Sequence, residues 1–214
     1  MRSGDIPPEI PAPGPQVPRP DAPTGPPVVP AAPPVIEDGA FDPRGALLRQ
    51  RRVMLSGALD DEAATRVATE LMLLDGESTR PVELLVNSDG GPLPALPAVL
   101  DVLDLMRAPV ATRCIGRAMG TAAVVLASGT GGRVATANAL ISLRLRERYE
   151  VIGRSWEIER FAGELDHVAA RIVAHLCRVT GLDQARARRE LAEGAPWAAS
   201  DALAHGMVDE VAVP

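Results

Sequence analysis

Residues 114–129 read CIGRAMGTAAVVLASG. A short apolar lead-in is followed by a Gly-containing turn and then by a long run of small residues. The pattern predicts a strand entering a turn that opens a helix. Such a turn is where a nucleophile and an oxyanion site usually sit, because free backbone N–H groups point out of the helix start. Yet the turn carries no Ser, Cys or His where a nucleophile is expected.

The same alternation runs outward from this stretch. RRVMLSGAL (51–59) reads as a strand ending in a Gly turn. DDEAATRVATELMLLDGES (60–78) reads as a helix, with acids in its first turn and apolar residues at Val67, Leu71 and Leu74. PVELLVNSDGG (81–91) is a second strand and LPAVLDVLDLMR (96–107) a second helix. APVATRCIG and MGTAAVVLASG give a third strand and a third helix; RVATANALISLRL (133–145) is a fourth strand region. A long helix over residues 157–180 stops at Gly181, and a shorter one covers 182–194. A short helix and a closing strand, MVDEVAV, finish the chain. This predicts an α/β fold with a mostly parallel sheet.

The first 45 residues differ. Thirteen of the 21 prolines lie before residue 35. Proline lacks the N–H and fixes φ, so the expectation is a Pro-rich disordered tail over 1–45 and one folded domain over 46–214. The 214 residues and formal charge of −6, without an aromatic-basic patch, argue against nucleic acid as partner. Arg186–Arg189 reads as a solvated helix face. Cys114 and Cys177 lie at no metal-ligand spacing, and no metal or cofactor is implied. With no apolar leader and no stretch long enough to span a bilayer, the chain reads as cytoplasmic and without membrane contact. His167, His175 and His205 are scattered and read as structural or surface residues.

Four segments in order, RRVMLSGALDDEAATRVATELMLLD, VELLVNSDGGPL, CIGRAMGTAAVVLASG and AASDALAHGMVDEV, carry a resemblance over about residues 50–212. Together they resemble the Clp protease proteolytic subunit, ClpP, a serine peptidase family of the crotonase-like superfamily. The resemblance implies repeated ββα-type units, a long handle helix, and heptameric rings stacked in pairs and fed by an ATPase unfoldase. It also implies a Ser–His–Asp triad. Laid without a gap, the Ser position falls on Gly120; a two-residue gap moves it to Ala118. The His position falls on Arg144, which stays protonated and cannot act as a base. The Asp position falls on Glu190. Arg144 is then either an ion-pair partner of Glu190 or a plain surface residue. Thr121, one residue past the expected place, is the nearest hydroxyl; one helical residue swings a side chain by roughly 100°.

The resemblance keeps one part of the machinery. Gly91, in SDGG, and Thr121 correspond to the two backbone donors of the oxyanion hole. Pro92 offers no N–H to an extended substrate. Glu83 and Leu85 stand where the family's unfoldase pocket has aromatic residues, so ATPase docking is disfavoured, and a charge there is costly unless paired. The expectation is an inactive ring-forming subunit, homo-oligomeric or mixed with active paralogues. The rivals are a peptidase or hydrolase with a relocated nucleophile and a crotonase-type acyl-CoA binder. Leu165, Val168, Ile172 and Leu176 on the long helix form an apolar stripe, expected to face an assembly partner.

Overall fold

The computed structural model describes residues 42–145 and 152–212. Nearly all of the expected tail lies outside the described residues. Its last few do not: a helix α1 spans Pro43–Arg49, so the expected boundary at residue 45 falls inside an element. Asp42 caps it by accepting from the Arg44 N–H, and Pro43 sits at the start, where a missing N–H costs nothing.

Strands β1 (Arg52–Ala58), β2 (Val82–Gly90), β3 (Val110–Met119), β4 (Arg133–Thr136) and β7 (Glu210–Ala212) lie side by side in the order β1-β2-β3-β4-β7, and every neighbouring pair in that row is parallel. Two short strands, β5 (Leu140–Ser142) and β6 (Trp197–Ala198), extend it: β5 pairs with the far half of β3, and β6 is antiparallel to β5. The single strand region expected over 133–145 is thus two strands. A turn closed by the Ala139 N–H on the Thr136 carbonyl separates them, and each follows a different half of β3. Strand β3 runs on to Met119, past the expected turn at Gly116. It absorbs a bulge there: Val86 pairs with Cys114, yet Ser88 pairs with Ala118.

The helices α2 (Asp61–Glu77), α3 (Leu96–Leu105), α4 (Thr121–Ala127), α5 (Ser155–Thr180), α6 (Gln184–Glu193) and α7 (Ala199–Ala204) complete the unit. Helix α2 shows how sequence fixes an element. Asp60 accepts from the Ala63 N–H, and Asp61 and Glu62 meet the positive end of the helix dipole. Val67, Leu71 and Leu74 are buried on one face. At its far end Arg51, held at φ +58, donates to the carbonyls of Leu74, Ser78 and Arg80. A cation that satisfies orphan carbonyls at a helix C-terminus offsets the backbone strain.

All seven residues of α4 are buried, which makes it the central pillar of the core. By contrast, only Ile172, Val173 and Leu176 of α5 are buried. This corrects the expected stripe. Ile172 and Leu176 enter the chain's own core, and Leu165 and Val168 pack partly against it. The large apolar side chains that α5 and its approach leave exposed are Ile152, Trp156 and Ile158.

The sheet is also covered unevenly. Val53, Leu55, Leu84, Val86, Val110 and Cys114 point into the core. Their neighbours on the other face are half-buried or exposed: Met54, Leu85, Ala111, Val134 and Ile115. Across this face Glu83 bridges Arg52 (2.8 Å) and Arg113 (2.7 Å). The charge expected to be costly is therefore paired twice.

Candidate functional site

The junction of β3 and α4 is a sharp elbow centred on Gly120, at φ +54 and ψ −122. This backbone is unfavourable for a residue with a Cβ, and it resembles the strained strand-to-helix turn that presents a nucleophile in hydrolases. The Gly120 N–H donates to the Ser142 carbonyl (2.7 Å), which pins the elbow to β5. A Cβ at Gly120 would lie 3.3 Å from the Arg144 carbonyl oxygen and 3.9 Å from Leu145. Ala118, the position reached by the gapped register, is fully buried inside β3 between Ser88 and Ile141. Of the two, only Gly120 lies at the elbow.

Backbone contacts bring the three expected positions into one neighbourhood. Arg144 faces Gly120 through its carbonyl, and the Leu145 N–H donates to the Leu191 carbonyl, one residue past Glu190. Their side chains do not form a working set. Arg144 is exposed, and among the described residues no ion pair joins it to Glu190. Glu190 instead lies 3.9 Å from Arg186 on its own helix. Beside the elbow, Leu145, Ala169, Val173, Arg188, Leu191 and Ala192 line an apolar cavity of about 340 Å³. Arg117 and Asp89 form an exposed ion pair at 2.8 Å on the other flank.

One of the two expected oxyanion donors, the Gly91 N–H, is engaged within the chain. The Gly91 N–H donates to Thr121 Oγ1 at 2.8 Å, and that hydroxyl donates to the Gly91 carbonyl at 3.1 Å. Thr121 is fully buried. One side chain thus occupies both polar groups of Gly91, and the amide is not free to bind a substrate oxygen. The close approach needs glycines. A Cβ at Gly91 would meet the Leu59 carbonyl at 2.2 Å, and one at Gly90 the Met119 carbonyl at 2.4 Å. The same bonds remove Thr121 as a replacement nucleophile, since its oxygen is enclosed and its proton is used.

A Ser and a His meet elsewhere. Ser128 Oγ lies 2.7 Å from His175 Nε2, and His175 Nδ1 lies 2.9 Å from Arg178 Nη2, which also reaches both carboxylate oxygens of Asp104. Local spacing gives no sign of this; 47 residues separate Ser128 from His175. The directions of the bonds decide its chemistry. Ser128 donates its only proton to the Val124 carbonyl (2.7 Å), so it accepts from His175. Arg178 can only donate, so Nδ1 accepts. The imidazole is neutral and carries its proton on Nε2. A base needs a bare nitrogen facing the hydroxyl, and here the bare nitrogen faces a guanidinium. Ser128 is also only 5% exposed. Burial first, and Arg178 second, hold the His175 pKa below its ordinary value, against the pull of Asp104. Burial pushes the Cys114 thiol up to about 12, which leaves it inert. Among the described residues no cluster of three or more His, Cys, Asp or Glu is placed to hold a metal, and no helix is long and apolar enough to cross a membrane.

The comparisons agree with one another. The family model described as Clp protease matches residues 37–214. The chain is 34% identical over 174 residues to the ATP-dependent Clp protease proteolytic subunit 3 of Frankia casuarinae, covering 80% of this chain and 81% of the relative. It is 32% identical over 172 residues to subunit 2 of the same organism, covering 79% of each. It is 31% identical over 173 residues to subunit 1 of Mycolicibacterium paratuberculosis, covering 79% of this chain and 82% of that protein.

Proposed function

The chain belongs to the Clp protease family, and from that premise we propose that it is a catalytically silent, ring-forming subunit with a structural or regulatory role. The observation that carries this reading is the elbow. Its apex is Gly120, the residue on which the family resemblance lays the nucleophile, and its Gly91 amide is closed by the Thr121 hydroxyl. A hydrolase of this type needs an oxygen nucleophile, a base and a free pair of N–H donors. Here the first two positions are Gly120 and Arg144, and one of the two expected donors is occupied.

Assembly is supported by surfaces that a lone chain leaves incomplete. Parallel sheets are normally covered on both faces. Among the described residues one face of this sheet carries half-buried Met54, Leu85 and Val134 with exposed Ile115. Trp156, 55% exposed, and Ile158 add an apolar patch near the start of α5. Frankia casuarinae has more than one numbered Clp proteolytic subunit, which favours a mixed ring as readily as a homomeric one. The Arg52–Glu83–Arg113 ladder stands where an apolar unfoldase loop would dock, so direct ATPase binding by this subunit is disfavoured.

The test combines a serine-directed fluorophosphonate or β-lactone probe with light scattering. The reading expects no labelling and a particle several times the 22.5 kDa chain, alone or with an active paralogue. Labelling that survives denaturing gels, or a particle that stays monomeric at micromolar concentration with every paralogue offered, overturns it.

A further inference from the structure

We propose that Ser128, His175, Arg178 and Asp104 form an acid-released latch that fixes the root of α5 to α3 and α4. The four side chains join three helices through hydrogen bonds of 2.7, 2.9, 3.1 and 3.2 Å. They lie where α5 enters the core, alongside buried Ile172, Val173 and Leu176. Towards its start the helix is largely exposed, so the latch sits at its attachment.

The arrangement tolerates only one protonation state. The Nε2–H donates to Ser128 and the Nδ1 lone pair accepts from Arg178, so each polar atom of the ring has one partner. A proton taken up from water binds Nδ1. It then faces an Arg178 N–H at the distance of a former hydrogen bond, donor against donor and cation against cation. The Arg178–His175 hydrogen bond breaks, and the tie between α5 and α3 is left to the exposed Arg178–Asp104 pair alone. The groups around the ring are named from every side. Helix α3 presents Asp104 and Asp101, and α5 presents Arg171 and Arg178. Helix α4 presents only the Ser128 hydroxyl, itself held by Val124. Arg133 donates to the Val179 and Gly206 carbonyls and is paired with Asp209. The two carboxylates of α3 oppose the two arginines of α5, and burial tips the balance toward the neutral ring. The sign follows. A base that binds its proton less readily when folded stabilises the fold above the ordinary imidazole value of about 6.5. That contribution is lost as pH falls toward the lowered folded value.

The test is amide hydrogen exchange of residues 172–180 in the full chain at about pH 7.5 and about pH 5.5, each rate divided by the intrinsic rate at that pH. Protection is expected to fall about tenfold in acid for the unmodified protein. In His175→Gln, whose amide can donate to Ser128 and accept from Arg178 without titrating, it is expected to stay constant. The same substitution leaves His167 and His205 in place and so controls for them. Unchanged protection in the unmodified protein, or an equal loss in His175→Gln, overturns the latch. A second readout covers a variant that fails to fold. Nitrogen NMR of the unmodified protein at neutral pH is expected to show the His175 proton on Nε2, and a proton on Nδ1 overturns the proposal.

Discussion

Two regions of this molecule divide a serine hydrolase's requirements between them. The elbow at Gly120 has the backbone, with a left-handed turn, a buried helix behind it and an apolar cavity beside it, but no reactive side chain. The Ser128–His175 contact has the side chains at 2.7 Å, but they are buried and the proton is on the wrong nitrogen. The comparison teaches that neither residue type nor proximity makes a catalytic pair. The direction of each hydrogen bond and the access of substrate do. The backbone of the elbow also serves packing, since the Thr121 hydroxyl ties it to both polar groups of Gly91.

The largest test of this contrast is catalytic. Losing nucleophile and base together removes on the order of six powers of ten in rate. Short fluorogenic peptides should therefore stay uncut by the unmodified chain. Gly120→Ser alone should change nothing, because Arg144 accepts no proton. The triple variant Gly120→Ser, Arg144→His, Glu190→Asp should cleave weakly, and more rapidly when Thr121→Ala also frees the Gly91 amide. Robust cleavage by the unmodified chain that Ser128→Ala abolishes would reverse the roles of the two regions. Next in size is Gly91→Ala, whose Cβ would meet the Leu59 carbonyl at 2.2 Å. Because the obstacle is backbone, chemical denaturation should report a loss of about 4 kcal/mol. Thr121→Val keeps the shape and strands both polar groups of Gly91, with an expected loss of about 2–3 kcal/mol in the same experiment. Ser128→Ala is the smallest, at about 1 kcal/mol, since half-buried His175 retains partial access to water. A larger loss at Ser128 than at Thr121 would mean that the latch, not the elbow, is the more tightly built region.

The alternation of strands and helices was legible because it rests on periodicity and end signals. Gly181 stands where the pattern stops α5, and the structure uses it as the cap, whereas Asp60, one of the acids the pattern places in the first turn of α2, caps that helix instead. The elbow was legible through the motif around Gly120 and through the long small-residue run behind it. What was not legible depends on contacts across the chain. Thr121 opens the small-residue helix, and nothing local shows that its hydroxyl closes a glycine 30 positions earlier. The apolar stripe on α5 has the right spacing for an interface, but spacing alone does not say whether the cover comes from a partner or from the chain's own core. Helix α1 was hidden by its composition. A proline at a first helical turn looks the same in sequence as one in an extended tail.

The unequal burial of α5 has a mechanical meaning. A helix rises about 1.5 Å per residue, so the stretch from Trp156 to Ile172 is a rod of about 24 Å with its fulcrum near the core. A tilt of about 10° at that fulcrum carries the indole of Trp156 through about 4 Å. That is close to the width of a side chain, and enough to take a packed contact out of register. A change too small to notice at His175 is thereby magnified at the far tip, and whatever grips that tip experiences the root of the helix as a gear.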